Sequence, residues 1–195
     1  MADYISSELT NDDKNSWSTP EWLFAAVNNE FDFKVDIAAN NKNTKCNSYI
    51  DIEQNALIMN NWADATPLLE TLAFKAVWIN PPYSRGMIKL FMDKAYQQCR
   101  QNKITVVLVV PSTADARWWP ENATEIRFIT QGRISFQHPI TKKVINGNTK
   151  GSALIIFKYA DLDKPTVTRY IKREALKEMG QNIIAANPAP ISSAF

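Results

Sequence analysis

Lys75-Ala76-Val77-Trp78-Ile79-Asn80-Pro81-Pro82-Tyr83-Ser84 is the stretch on which the fold turns. Its first half is a short apolar run that reads as a buried strand. Two consecutive prolines then end it, because proline fixes φ and removes the N–H that a sheet ladder needs. After Gly86, Ile88, Phe91, Met92 and Ala95 recur at helical spacing to about Cys99. The next run, Ile104 to Val110, is apolar nearly throughout and stops at Pro111. A central parallel strand covered on both faces requires that composition.

Upstream, residues 1–16 are polar without periodicity and read as a flexible leader. Thr19-Pro20-Glu21 reads as a helix start, with Thr19 as N-cap and Pro20 at the first helical position. Trp22, Leu23, Ala26 and Val27 bury one face of that helix. Phe33 to Asp36 is a short alternating strand ending at an acid, followed by Ala38-Ala39 and an asparagine-rich loop from Asn40 to Asn47. Ala56, Leu57, Ile58 and Trp62 fit a short helix or an irregular packed segment.

Downstream, Ile126–Ile129, Arg133–Phe136 and Ala153–Phe157 read as strands. The long connection before the last holds Asn146-Gly147, Lys142, Lys143 and Lys150, and reads as an exposed hairpin-like loop. Arg169 to Met179 reads as a basic helix ending at Gly180. The expected organisation is a leader at 1–16, one domain at 17–180 and a flexible tail at 181–195. Strands separated by helices, with a run of strands last, predict an α/β sheet, mostly parallel with an antiparallel C-terminal edge. Ligands of such sheets bind beyond the carboxyl ends of the strands, where Asp36 and Asn80 both fall.

Composition narrows the chemistry. A chain of 195 residues with 45% hydrophobic residues can bury one substantial core, and its net charge of +2 gives no strong global field. Cys46 and Cys99 are too few for a disulfide scaffold, and the first residues lack the run of a signal peptide, so a cytoplasmic protein is expected. Ile104 to Pro111 is too short to span a membrane. A single histidine, His138, speaks against His-dependent hydrolysis and zinc catalysis, and no metal is expected. Beside Pro139 in a polar stretch, it reads as a surface-loop residue.

Asn80 to Tyr83 carries a distinct chemistry. The prolines hold Asn80 and Pro81 extended, so their carbonyls project without internal partners. An exocyclic aromatic amine such as adenine N6 is a poor nucleophile, because its lone pair is delocalised, but a good donor. If the Asn80 side-chain oxygen and the Pro81 carbonyl each accept one N–H, the nitrogen is held pyramidal with its lone pair aimed at an incoming methyl group. Pro82 stiffens the turn and Tyr83 offers a ring for stacking on the base. No histidine base is needed, because the proton can leave once nitrogen has become cationic.

From Trp17 to about Phe157 the chain resembles the phage-type DNA N6-adenine methyltransferases. The resemblance rests on Trp17-Ser18-Thr19-Pro20, Asp36-Ile37-Ala38-Ala39 with Asn43 and Cys46, and Trp78 to Ser84. It continues through Val110-Pro111, Trp118-Trp119, Gly132 to Phe136 and Lys150-Gly151-Ser152. It implies a Rossmann-like methyltransferase fold, S-adenosylmethionine as cofactor with S-adenosylhomocysteine as product, double-stranded DNA as partner, and protection of phage DNA from restriction in the host cytoplasm. Under it, Trp17, Thr19 and Pro20 belong to the segment holding the amino-acid end of the cofactor. Asp36 is the acid at the cofactor's methionine or ribose, with Ala38 allowing close approach, and Asn80 to Tyr83 form the catalytic loop. Asp51, Glu53 or Asn55 supplies the acceptor for ribose or adenine. The glycine-rich turn that many methyltransferases place after the first strand is replaced here by Ala38-Ala39.

Arg85, Arg117, Arg133, Lys142, Lys143 and Lys150 are candidates for phosphate contacts, and Trp118 for stacking on extruded bases. Two other readings stand beside DNA methylation: methyl transfer to RNA bases or a glutamine amide, and a catalytically inactive DNA-binding protein. The sequence leaves the oligomeric state open between monomer and weak dimer.

Overall fold

A computed structural model describes residues 17–65, 76–145 and 148–187. The expected leader, Lys75, Asn146-Gly147 and the tail beyond Asn187 lie outside the described residues. The strands are β1 (Val35–Asp36), β2 (Ser48–Tyr49), β3 (Ala76–Ile79), β4 (Thr105–Pro111), β5 (Glu125–Thr130), β6 (Ser152–Phe157) and β7 (Val167–Lys172). The helices are α1 (Glu21–Phe31), α2 (Met87–Asn102) and α3 (Arg173–Ala186). Among the described residues the strands form one seven-stranded sheet in the order β2-β1-β3-β4-β6-β5-β7.

The central strand β4 explains the layering. Val106, Leu108 and Val110 face one core with Ile88, Phe91, Met92 and Ala95 of α2. Val107 and Val109 face the other, with Leu23, Ala26, Val27 and Phe31 of α1 and Leu176 of α3. Each buried side chain of this size contributes roughly 1.5–3 kcal/mol, so a strand apolar on both faces is stable only between two helical layers. This α/β sheet, flanked by helices on both faces, has the Rossmann-like architecture that the sequence predicts.

Four details of the sequence reading are corrected. β6 runs antiparallel to both β4 and β5, whereas β7 at the edge is parallel to β5. The reversed strand is therefore interior, and the C-terminal edge is parallel. Arg133–Phe136 joins no ladder: Gln131 (φ 57°) and Gly132 (φ 148°) turn the chain out of the sheet. Ile134 and Phe136 still alternate inward, so the pattern reflects burial of an extended chain without strand partners. Val167–Lys172 is strand, as its Val, Thr, Tyr and Ile favour, and the helix begins only at Arg173 and continues through Gly180 to Ala186. Gly180 sits where α3 crosses α1, and a Cβ there would lie 1.9 Å from the Trp22 carbonyl oxygen. That helix also carries residues 181–186, expected as tail. Finally, α1 begins at Glu21 with Pro20 in the cap position at ψ 140°, and no side chain caps it. The Pro20 carbonyl takes the first helical N–H groups, from Leu23 and Phe24, in the role expected of Thr19.

Ala56 and Trp62 are buried in an irregular segment leading to a 3-10 turn at Trp62–Ala65. Its anchor is Gln98 of α2, whose Oε1 accepts the Trp62 N–H at 3.0 Å.

Candidate active site

β1 pairs with β2 on one side and β3 on the other, all parallel. The connections leave their carboxyl ends in opposite directions, which makes the β1/β3 boundary a topological switch point, where open α/β sheets bind ligands. Asp36 is the last residue of β1, in register with Trp78, and Asn80 directly follows β3. The segment 17–20 lies beside them: Asn80 Nδ2 donates to the Trp17 carbonyl at 2.8 Å. With its nitrogen committed, the amide has its carbonyl oxygen left to receive a donor. The sequence did not disclose this orienting contact, which spans 63 positions.

Asp36 is 3% exposed. Its Oδ2 accepts the Lys45 N–H at 3.1 Å, whereas Oδ1 is buried without a hydrogen-bond partner among the described residues. Burial pushes its carboxyl up to about 7, against smaller lowering effects of the Lys45 and Ala38 backbone N–H groups and the Lys45 charge. Trp17 Nε1 and Ser18 Oγ are likewise buried and unpartnered. Such atoms cost free energy in an apolar surround unless a ligand or water meets them. Lys45 is a residue the sequence reading missed. Its side chain is 3% exposed and pairs with Glu21 at the start of α1, tying the asparagine-rich loop to the 17–20 segment.

Tyr83 is turned partly inward. Its hydroxyl donates to the Val109 carbonyl at 3.3 Å, and its ring meets Phe136 edge to face at 6.0 Å. Burial raises its phenol above the usual range. Tyr83 also walls a cavity of about 370 Å³, with Trp17 on its rim, Trp118 from the connection after β4, and Arg85, Lys89 and Lys150 as cations. That volume lies within the range of small-molecule sites, roughly 300–1,000 Å³.

These features are what a methyltransferase acting on a base requires: a buried carboxylate oxygen without a partner at the switch point, an oriented amide at the end of the next strand, and an aromatic cavity beside Trp17 and Tyr83. The family model for DNA N-6-adenine-methyltransferase (Dam) matches residues 6–183. The chain belongs to this family. As a Dam-family member it is an adenine-specific DNA methyltransferase. It is similar to the DNA N-6-adenine-methyltransferase of Haemophilus phage HP1 (strain HP1c1), 29% identical over 179 residues, spanning 89% of this chain and 96% of that protein. It is also similar to the DNA N-6-adenine-methyltransferase of Escherichia phage T1, 29% identical over 176 residues, spanning 81% of this chain and 68% of the relative.

The remaining sequence candidates of this Dam-family chain fall in three places. Arg85, Trp118 and Lys150 line the cavity. Arg117 is exposed beside Trp118, and Trp118 packs on Trp119, which stacks on Phe128 of β5. Arg133, Lys142 and Lys143 are exposed on the connection between β5 and β6. Lys142 Nζ donates to the Lys42 carbonyl at 2.9 Å, which lays that connection against the asparagine-rich loop. Asp51, Glu53 and Asn55 occupy the turn after β2. There the Asp51 carboxylate accepts the Glu53 and Gln54 N–H groups and the Asn55 side chain accepts that of Leu57, so Glu53 is the least committed of the three. His138 Nδ1 accepts the N–H groups of Ile140 and Thr141 and shapes a turn. Among the described residues no group of three or more His, Cys, Asp or Glu side chains could hold a metal ion, and no helix is long and apolar enough to cross a membrane.

Proposed function

We propose that the chain transfers the methyl group of S-adenosylmethionine to N6 of adenine in double-stranded DNA, with Asn80 and Pro81 holding the reacting amine. The observation that carries this reading is the Asn80 amide, whose Nδ2 is fixed on the Trp17 carbonyl so that Oδ1 is left as an acceptor next to the aromatic cavity. S-adenosylmethionine supplies an electrophilic methyl on a sulfonium and leaves as S-adenosylhomocysteine. The residues fit it: the buried, unpartnered Asp36 Oδ1 lacks the ammonium or hydroxyl donor that the cofactor's methionine or ribose provides. Ala38, whose backbone N–H lies at that carboxylate, leaves room for close approach, Trp17, Thr19 and Pro20 are assigned to the amino-acid end of the cofactor, and Glu53 is the favoured acceptor on the β2 side.

Oδ1 of Asn80 and the Pro81 carbonyl accept the two N6–H groups, which draws the nitrogen out of conjugation and exposes its lone pair. Tyr83 and Trp118, facing one cavity, offer aromatic surfaces to an adenine taken out of the stack. Arg85 and Lys150 at its rim are placed for the flanking phosphates. Methylation of this kind would protect phage DNA from restriction in the host cytoplasm. The test is incubation of the full chain with labelled S-adenosylmethionine and native DNA, followed by nucleoside analysis. N6-methyldeoxyadenosine is expected, whereas label confined to RNA or protein refutes the reading.

A further inference from the structure

We infer that residues 137–144 form a wedge for duplex DNA, in which Ile140 enters between base pairs beside the target and Lys142 and Lys143 grip the neighbouring phosphates. This rests on the proposed DNA reaction and adds an opening device to it.

Charge segregation is the first observation. Residues 126–160 contain Arg127, Arg133, Lys142, Lys143, Lys150 and Lys158 but no acid, in a chain with 20 acids. Arg127 pairs with Glu30 and Glu125, and Lys158 lies within 4 Å of the same two. Among the described residues the other four meet no acid, and all are exposed.

The second observation is a stiff arm with an apolar tip. Gln137 pairs antiparallel with both Ser18 and Val144. The His138 N–H donates to the Lys143 carbonyl at 2.9 Å and the Lys142 N–H to the His138 carbonyl at 3.0 Å. The His138 ring accepts two further N–H groups inside the turn. On this braced hairpin Ile140 is 62% and Val144 55% exposed, so two apolar side chains stand largely in solvent on one short arm. Apolar side chains flanked by cations match a duplex, which offers apolar faces between stacked bases and anions outside. A second copy of this surface would set like charges against each other.

The third observation is where the arm is rooted. Phe136 at its base meets the Tyr83 ring, and Ser18 adjoins Trp17, whose carbonyl orients Asn80. A wedge here acts next to the point where adenine must leave the stack, a step costing a few kcal/mol in a duplex and less in an unpaired strand.

Ile140→Ala should therefore lower the initial rate of methyl transfer to native DNA at least tenfold, yet stay within about twofold of the unsubstituted chain on heat-denatured DNA. Ile140→Leu should retain most of the duplex rate. Changing Lys142 and Lys143 together to Gln should make the salt dependence of duplex binding shallower by about 2 in log–log slope. Equal losses on both DNA forms, or none on native DNA, would overturn the wedge. Failure of the unsubstituted chain to label either form would instead overturn the DNA reaction and the wedge with it. Melting temperatures of the variants separate these outcomes from misfolding.

Discussion

Asp36→Asn should make the protein more stable and less functional, with the gain depending on pH in a calculable way. The folded carboxyl titrates at about 7 against an ordinary value of 3.8, because burial outweighs the lowering effects of the Lys45 and Ala38 N–H groups and of the Lys45 charge. The folded state thus keeps its proton longer than the unfolded chain. Stability is highest below about pH 4, falls as pH rises towards 7, and is flat above. At pH 8 the ionised carboxylate costs the fold about 4 kcal/mol, since each pH interval of one is worth about 1.4 kcal/mol. At pH 5 the folded group is still protonated and only about 2 kcal/mol has been lost. Asn removes the charge, so urea unfolding should find the variant stabilised at pH 8 and less so at pH 5, the two gains differing by about 2–3 kcal/mol. In melting temperature the pH 8 gain is on the order of 10 °C. Calorimetric titration should show at least tenfold weaker binding of S-adenosylmethionine to the variant. A variant less stable than the parent at pH 8, or a gain equal at both pH values, would refute the assignment of a strained, ligand-ready carboxylate.

Asn80→Ala should abolish most transfer while leaving cofactor affinity within a few-fold, because an acceptor at the reacting nitrogen acts mainly in the transition state; equal loss in a binding titration would contradict that role. Tyr83→Phe gives up only the 3.3 Å bond to Val109 and should cost about 1 kcal/mol of stability at most, with methylation nearly intact. Tyr83→Ala should weaken capture of the base by about 1–3 kcal/mol, read as a rise in the Kd for DNA. Gly180→Ala places a Cβ against the Trp22 carbonyl. Despite the helix propensity it gains, it should lose about 2 kcal/mol or more in denaturant unfolding as α1 and α3 are forced apart.

The middle of the sheet was legible because its signals are local. Two prolines after β3, a clean helical stripe in α2 and a nearly all-apolar β4 each admit one reading. The edges were not, because periodicity reports which side chains are buried and is silent on who supplies the hydrogen bonds. Arg133–Phe136 alternates as a strand would, yet the left-handed residues at 131 and 132 carry it off the ladder. β6 could not be placed from sequence, since its apolar run is compatible with either direction and any interior slot. Gly180 carries the same lesson for helices. A glycine near a helix end is an ordinary stop signal, but here its reason is a backbone on another helix, more than 150 residues away in sequence.

The site divides along the same line. Asn80 to Tyr83 are consecutive, and their chemistry follows from residue type alone, whereas what makes Asn80 an acceptor is the Trp17 carbonyl, and what positions Tyr83 is Phe136 and Val109. Lys45 escaped notice because a lysine in a polar loop looks solvated until its salt bridge to Glu21 and its place beside Asp36 are known. These long-range contacts join the 17–20 segment to both carboxyl strand ends at once. Asn80 hangs from Trp17, while Glu21 and Lys45 connect the next turn to the loop over Asp36. Displacing 17–20 would therefore disturb the acceptor for the amine and the acid for the cofactor together, so the two halves of the reaction share one support.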